Sequence, residues 1–251
     1  MWSALGSVGF VAGYTFGDVM RLDKQLSHLQ YGSRKEVREL IKHKHVAVDG
    51  VIQTDPGFDV KTATIAVDGE VVAGALDVTY LLNKPQNVIT ATEDAHQATV
   101  LDLIATADRR PNLSPVGRLD KDTTGLLFLT TDGQLAHRLL DPKKHVPKTY
   151  RVQLREPLTD TAQEVLEHGI SFKDFTSQPA QVERLTPDAM QIALTIHEGK
   201  FHQVKRMLLA VDNEVMQLER IAMGGLALPE DLAPGQYRAV TDDELAQLTA
   251  K

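Results

Sequence analysis

Gly117-Arg118-Leu119-Asp120-Lys121-Asp122-Thr123-Thr124-Gly125-Leu126-Leu127 joins a polar segment to an apolar one without a break. Cations, carboxylates and hydroxyls are packed between two glycines, and the chain then enters Leu126-Leu127-Phe128-Leu129. The apolar run has the composition of a core strand, while the residues before it have the composition of a loop. Polar loop chemistry fused to a buried strand is how a rigid scaffold presents a reacting group. Asp120 is therefore the centre of a candidate site, and the strand that follows is the centre of a candidate core.

Further elements lie on both sides of this run. Upstream, Val78-Thr79-Tyr80-Leu81-Leu82-Asn83 is strand-like and is ended by Lys84-Pro85. Val100, Leu101, Leu103 and Ile104 give a short helical face, broken by Arg109-Arg110-Pro111-Asn112. Downstream, Asp132-Gly133 precedes a helix over residues 134–140, followed by a basic loop with Lys143, Lys144, His145 and Lys148. Tyr150-Arg151-Val152-Gln153-Leu154 alternates as a strand does, and Ala162, Val165 and Leu166 mark another helix. Strands are expected near residues 180–182, 191–196 and 218–228, with a helix over 201–211. Strands outnumber helices, and few connections are long enough for repeated parallel crossovers. The expected fold is α+β: a mixed, mainly antiparallel sheet flanked by helices over residues 79–251.

Residues 20–78 form a second expected unit, small and α/β. Leu22, Leu26 and Leu29 recur at helical spacing, Gly32-Ser33 supplies a stop and an N-cap, and Val37, Leu40 and Ile41 mark a second helix. That helix and its end carry Arg34, Lys35, Arg38, Lys42 and Lys44 against Glu36 and Glu39. Val46-Ala47-Val48, Asp49-Gly50 and Val51-Ile52 read as a tight hairpin, and a second Asp-Gly turn follows Ile65-Ala66-Val67. A charge run of this kind standing alone is a solvated helix face. The boundary between the units is expected near Gly74-Ala75, where short turns give way to longer strands.

Composition narrows the chemistry. The chain has 251 residues, 42% of them hydrophobic, which is enough for a sizeable core. It has no cysteine, so disulfides, thiol nucleophiles and thiolate metal sites are excluded, and the absence fits a reducing, cytoplasmic setting. The net charge of −7 means that any nucleic-acid binding needs localised basic patches. Residues 1–19 are apolar and glycine-rich but lack the basic start of a signal peptide and the unbroken length of a membrane span. They read as a poorly ordered extension or a misassigned start, with an amphipathic anchor as the alternative.

The residues alone leave the role of the opening motif undecided. Asp120 and Asp122 are a weak metal signal without further acidic clustering, and a pair of carboxylates also serves glycoside hydrolysis. A loop whose Asp and Thr side chains satisfy local backbone groups accounts for the same residues.

Resemblance carries the reading further. The segment Arg21-Leu22-Asp23-Lys24, with Gly32-Ser33-Arg34-Lys35, Ile41 and Val46-Ala47-Val48-Asp49-Gly50, resembles the small RNA-binding domain first described in ribosomal small-subunit protein four. This implies that Arg34, Lys35, Arg38, Lys42 and Lys44 are phosphate partners. The opening motif resembles the signature of bacterial rRNA pseudouridine synthases, in particular the branch acting on 16S rRNA. Leu82-Asn83-Lys84-Pro85, Lys148-Thr149-Tyr150 and Gly199-Lys200-Phe201-His202-Gln203-Val204-Lys205-Arg206-Met207 match the same branch in order. One departure is Asn87, where the family usually has glycine; Asn best tolerates the left-handed backbone such a turn needs.

The resemblance implies isomerisation of uridine to pseudouridine within ribosomal RNA during ribosome biogenesis, with no cofactor and no metal, and nothing in the sequence demands more than a monomer. It implies Asp120 as nucleophile, Lys205 as the cation paired with it, and Tyr150 as the residue stacked on the target base. Base flipping makes Arg118 the candidate wedge. His137, Arg138, Lys143, Lys144, His145 and Lys148 are the expected basic rim, Arg206 is a further expected RNA-binding residue, and Asp122, Thr123, Thr124 and Gly125 hold the loop. The alternatives are a synthase acting on 23S rRNA, a non-catalytic RNA-binding assembly factor, and a glycosidase-like hydrolase.

Overall fold

The computed structural model describes residues 20–60, 63–72 and 77–249. The expectations for residues 1–19 and for a boundary at Gly74-Ala75 fall outside the described residues. The chain divides into two compact units, Met1–Leu76 and Asp77–Lys251, each described here by itself.

In the first unit, helices α1 (Leu22–His28) and α2 (Arg34–Lys42) precede the strands β1 (Val46–Val48), β2 (Val51–Ile52), β3 (Ile65–Val67) and β4 (Glu70–Val71). The sheet order is β2-β1-β3-β4, antiparallel throughout. Ser33 begins α2 through a capping box: its hydroxyl accepts from the Glu36 amide, and its own amide donates to the Glu36 carboxylate at 2.7 Å. Asp49-Gly50 and Asp68-Gly69 both turn with positive φ at each residue, which is what a two-residue hairpin requires. Leu22, Leu26, Val37, Ile41, Val46, Val48 and Ile65 make the core.

The second unit is built on strands β5 (Thr79–Lys84), β6 (Ser114–Pro115), β7 (Thr124–Thr130), β8 (Lys148–Leu154), β9 (Gln181–Arg184), β10 (Gln191–Ile196), β11 (Val215–Met223), β12 (Leu226–Ala227) and β13 (Tyr237–Ala239). Their path is β13-β5-β7-β11-β8-β10-β9, with β12 on β11 and β6 on β7. Only β7 and β11 run parallel, so the sheet is mixed and mainly antiparallel, as the sequence indicated. The run Leu126-Leu127-Phe128-Leu129 is apolar at every position because its strand is covered on both faces. Leu127 and Leu129 join one cluster with Leu82 and Val152, while Leu126 and Phe128 join another with Leu81 and Met223. Helices α4 (Asp160–His168) and α5 (Gln203–Leu209) pack with the first cluster through Leu166, Val204, Met207 and Leu208. Helices α3 (Gly133–Leu140) and α6 (Asp242–Thr249) pack with the second through Leu135, Leu139 and Leu248.

Three expectations are corrected. Val100, Leu101 and Ile104 are buried, but they sit in successive turns and not a helix: Asp102 binds the Thr99 amide and hydroxyl, and Ala105 is extended (φ −56°, ψ 142°), which stops further winding. The strand over 218–228 begins earlier and is folded into the hairpin β11–β12 by Gly224-Gly225, with Met223 opposite Leu226. The helix over 201–211 is shorter because His202 is left-handed at φ 51°. Asn87 has φ 66°, so it supplies the left-handed turn expected of it.

Candidate active site

The polar half of the opening motif forms a turn at the entry to β7, closed by the Thr123 amide donating to the Asp120 carbonyl at 3.1 Å. It is fastened from several sides. The Thr90 hydroxyl donates to the Leu119 carbonyl at 2.7 Å and accepts from the Leu119 amide at 3.1 Å. The Asn87 amide donates to the Lys121 carbonyl at 3.0 Å. Lys84, at the end of β5, is fully buried, and its ammonium donates to the carbonyls of Thr123 (2.8 Å), Pro85 (3.1 Å) and Lys121 (3.4 Å).

Where the turn becomes strand, β7 lies parallel to β11 with Gly125 opposite Arg220. Gly125 has φ 97°, and a Cβ there would stand 2.3 Å from the Arg220 carbonyl oxygen. No other residue fits this approach. The Arg220 side chain is buried and donates through Nε to the Leu126 carbonyl at 2.7 Å. Thr124 donates its hydroxyl to the Leu218 carbonyl at 3.4 Å, and Thr123 is buried.

Asp120, held this way, faces α5. Its Oδ2 is 3.1 Å from Lys205 Nζ, and its Oδ1 is 3.5 Å from His202 Nε2. Lys205 also donates to Asp122 Oδ1 at 2.7 Å. Burial works against the Lys205 charge, but the hydrogen bonds it donates to Asp122 and Asp120 outweigh it and hold its pKa above the ordinary value. Burial also raises the Asp122 carboxyl, and the Lys205 hydrogen bond and charge bring it below the usual value. The Asp120 side chain is 30% exposed, partly sheltered yet open to a ligand. Tyr150, on β8 opposite Arg220, is buried and lines the same cleft as Arg118, Leu119, Asp120, Thr123, His202 and Lys205. A half-sheltered carboxylate beside a cation and a tyrosine, in one cleft, can act as nucleophile or base.

Asp120, Tyr150 and Lys205 thus come from β7's entry, β8 and α5 to one place, and exposed Arg118 joins them. The anticipated basic residues divide. Lys143 and Lys144 are exposed in a 3-10 turn, with His145 exposed beside them, and His137 and Arg138 are exposed on α3. Lys148 is placed differently from the exposed rim expected: it is buried, donates to the Val146 carbonyl at 2.9 Å, and burial lowers its pKa to about 8. Arg206 is bound to Asp174 through both terminal nitrogens, and it lies 4.8 Å from the Phe172 and Phe175 ring centres. In the first unit Arg34, Lys35, Lys42 and Lys44 are exposed, whereas Arg38 donates to the fully buried Asp23 at 2.9 Å. Arg21 holds the same carboxylate.

Sequence reasoning assigned no role to Lys84, Thr90 or His202. For Lys84 the signal was a lysine ending a buried strand and preceding proline. Burial lowers its pKa to about 8, against the opposing pull of Asp122 and Asp120.

Residues 78–210 match the RNA pseudouridylate synthase family, and residues 20–64 match the S4 domain. An uncharacterized RNA pseudouridine synthase of Bacillus subtilis is 48% identical over 235 residues, covering 90% of this chain and 97% of that one. Ribosomal small subunit pseudouridine synthase A of Escherichia coli is 41% identical over 234 residues, covering 91% and 100%. A crystal structure of a pseudouridylate synthase superposes with a TM-score of 0.64 at 33% identity, covering 91% of this chain and 99% of that one.

Proposed function

The chain belongs to the RNA pseudouridylate synthase family, and from this premise we propose that it isomerises one uridine of 16S rRNA, with Asp120 as the nucleophile. The support for 16S rRNA is the 41% identity to ribosomal small subunit pseudouridine synthase A, which runs the whole length of that protein. The observation that carries the mechanism is the 3.1 Å contact of Asp120 with Lys205. A cation at that distance fixes the orientation of the carboxylate in the cleft, where it can act as a nucleophile.

The target base is inaccessible in a stacked helix, so the nucleotide flips into the cleft at a cost of roughly a few kcal/mol. Arg118 props the gap with its guanidinium plane. Asp120 attacks the target nucleotide and forms a transient covalent bond, the bond from ribose C1′ to base N1 breaks, the base turns while stacked on Tyr150, C1′ bonds to C5, and the bond to Asp120 breaks to restore the free carboxylate. The proton on C5 leaves and N1 gains one, so nothing is released but the isomer. Tyr150 helps to remove that proton. Asp122, Thr123, Thr124 and Gly125 brace the turn. Residues 20–78 hold rRNA through Arg34, Lys35, Lys42 and Lys44, with Lys143 and Lys144 adding charge in the catalytic unit 79–251.

Pseudouridine mapping in 16S and 23S rRNA from cells lacking the gene tests this reading. One 16S site should be lost and restored by the wild-type gene but not by Asp120→Asn. Loss of a 23S site instead would overturn the substrate assignment.

A further inference from the structure

Phe201 is 77% exposed, and among the described residues of its unit it is the only exposed Phe, Tyr or Trp. Single exposed hydrophobics are common on protein surfaces, so exposure alone decides nothing. Position and order separate Phe201 from the others. Its neighbours Lys200 and His202 both line the cleft of Asp120. Its ring is stacked on the His202 imidazole with centroids 3.8 Å apart and planes 19° from parallel. His202 is itself placed by its left-handed backbone and by the 3.5 Å approach of its Nε2 to Asp120. One face of the phenyl ring is therefore covered, its orientation is tied to the nucleophile, and the remaining surface meets solvent.

An aromatic ring fixed in orientation with a free face at the rim of a nucleotide-binding cleft has the form of a stacking platform. Every nucleobase offers a π-face to such a ring, and the exposed Lys200 beside it supplies charge for the backbone. We propose that the free face of Phe201 stacks on an unpaired RNA base flanking the flipped uridine, and that His202 transmits this contact to the Asp120 carboxylate. Phe201 is thus a positioning residue that links the path of the strand to the nucleophile. The inference rests on the RNA-acting reading of the cleft, but not on which rRNA is modified.

The test uses the full chain and oligouridylate carrying a single 2-aminopurine, moved position by position, at enzyme excess without turnover. Stacking on an aromatic ring quenches this base. The wild type and Phe201→Tyr should quench it at one position, while Phe201→Leu should lose the quenching and weaken binding about five- to 100-fold, the range a lost base–ring stack gives. Circular dichroism of Phe201→Leu should match wild type, since the side chain fills no core. Quenching retained in Phe201→Leu, or no position quenched by the wild type, would overturn the platform. Failure of the wild type to modify 16S rRNA would overturn only the substrate reading, because the quenching needs no turnover.

Discussion

Lys84 Nζ lies 2.8 Å from the Thr123 carbonyl oxygen, directly beneath the turn that carries Asp120. A fully buried ammonium is expensive unless its donors are satisfied, and three backbone carbonyls of the turn region satisfy them here. The lysine is the clamp that fixes the backbone around Asp120.

The pKa of Lys84 is about 8, below the ordinary 10.5. Between these values the unfolded chain holds a proton that the folded chain has released, so stability rises with pH across this window. Relative to Lys84→Met, the wild type should gain about 2–3 kcal/mol between pH 8 and 10.5. Urea unfolding of both proteins at intervals across that range measures it. A difference independent of pH would show that the ammonium is not buried as described.

Gly125→Ala forces a Cβ to within 2.3 Å of the Arg220 carbonyl at a φ of 97°, so β7 and β11 must part. A loss of at least ~2–4 kcal/mol is expected, together with loss of activity. Gly50→Ala, at φ 78° with open space around it, should cost only about 1 kcal/mol. Thermal unfolding of the pair separates the close approach from backbone strain alone.

Arg38 and Lys42 are both exposed cations of α2, but they differ in what their loss leaves behind. Arg38→Ala strips a partner from buried Asp23 and should destabilise the chain by about 2–4 kcal/mol. Lys42→Ala should leave stability nearly unchanged, weaken rRNA binding, and reduce its salt dependence by about one ion. Unfolding and salt-titrated binding on both variants give the comparison.

Lys205→Met removes the cation from both carboxylates and should lower kcat about ten- to a hundredfold. Asp122→Asn should cost less, because Asp122 is 69% exposed and reaches the site through Lys205. Single-turnover kinetics with labelled rRNA measures both, and equal losses would mean that Lys205 and Asp122 work as a unit.

Much of this was legible in the residues. The four apolar residues after Gly125 announced a buried strand, and the Asp-Gly pairs announced hairpins, because both signals are local. Asp120 stood out by the chemistry of its own segment, while Tyr150 and Lys205 were assigned to its site through motif resemblance, since nothing local places β8 and α5 beside the turn. The failures are also local in origin. Val100 to Ile104 carried the right burial at helical spacing, yet the Asp102 side chain and extended Ala105 confined it to turns. Lys148 and Arg206 counted as RNA-binding charges, while the fold buries the first and commits the second to Asp174. The pairing of Arg38 with Asp23 spans fifteen residues and two helices, beyond what charge patterning along one helix registers.

The central claim is that Asp120 is the nucleophile of a uridine isomerisation, and the most direct measurement is tritium release from rRNA labelled at uracil C5, taken from cells lacking the gene. The wild type should release one equivalent per rRNA and leave one new pseudouridine. Asp120→Asn should release none while binding the rRNA within about threefold of wild type. Release by Asp120→Asn at the wild-type rate would contradict the account.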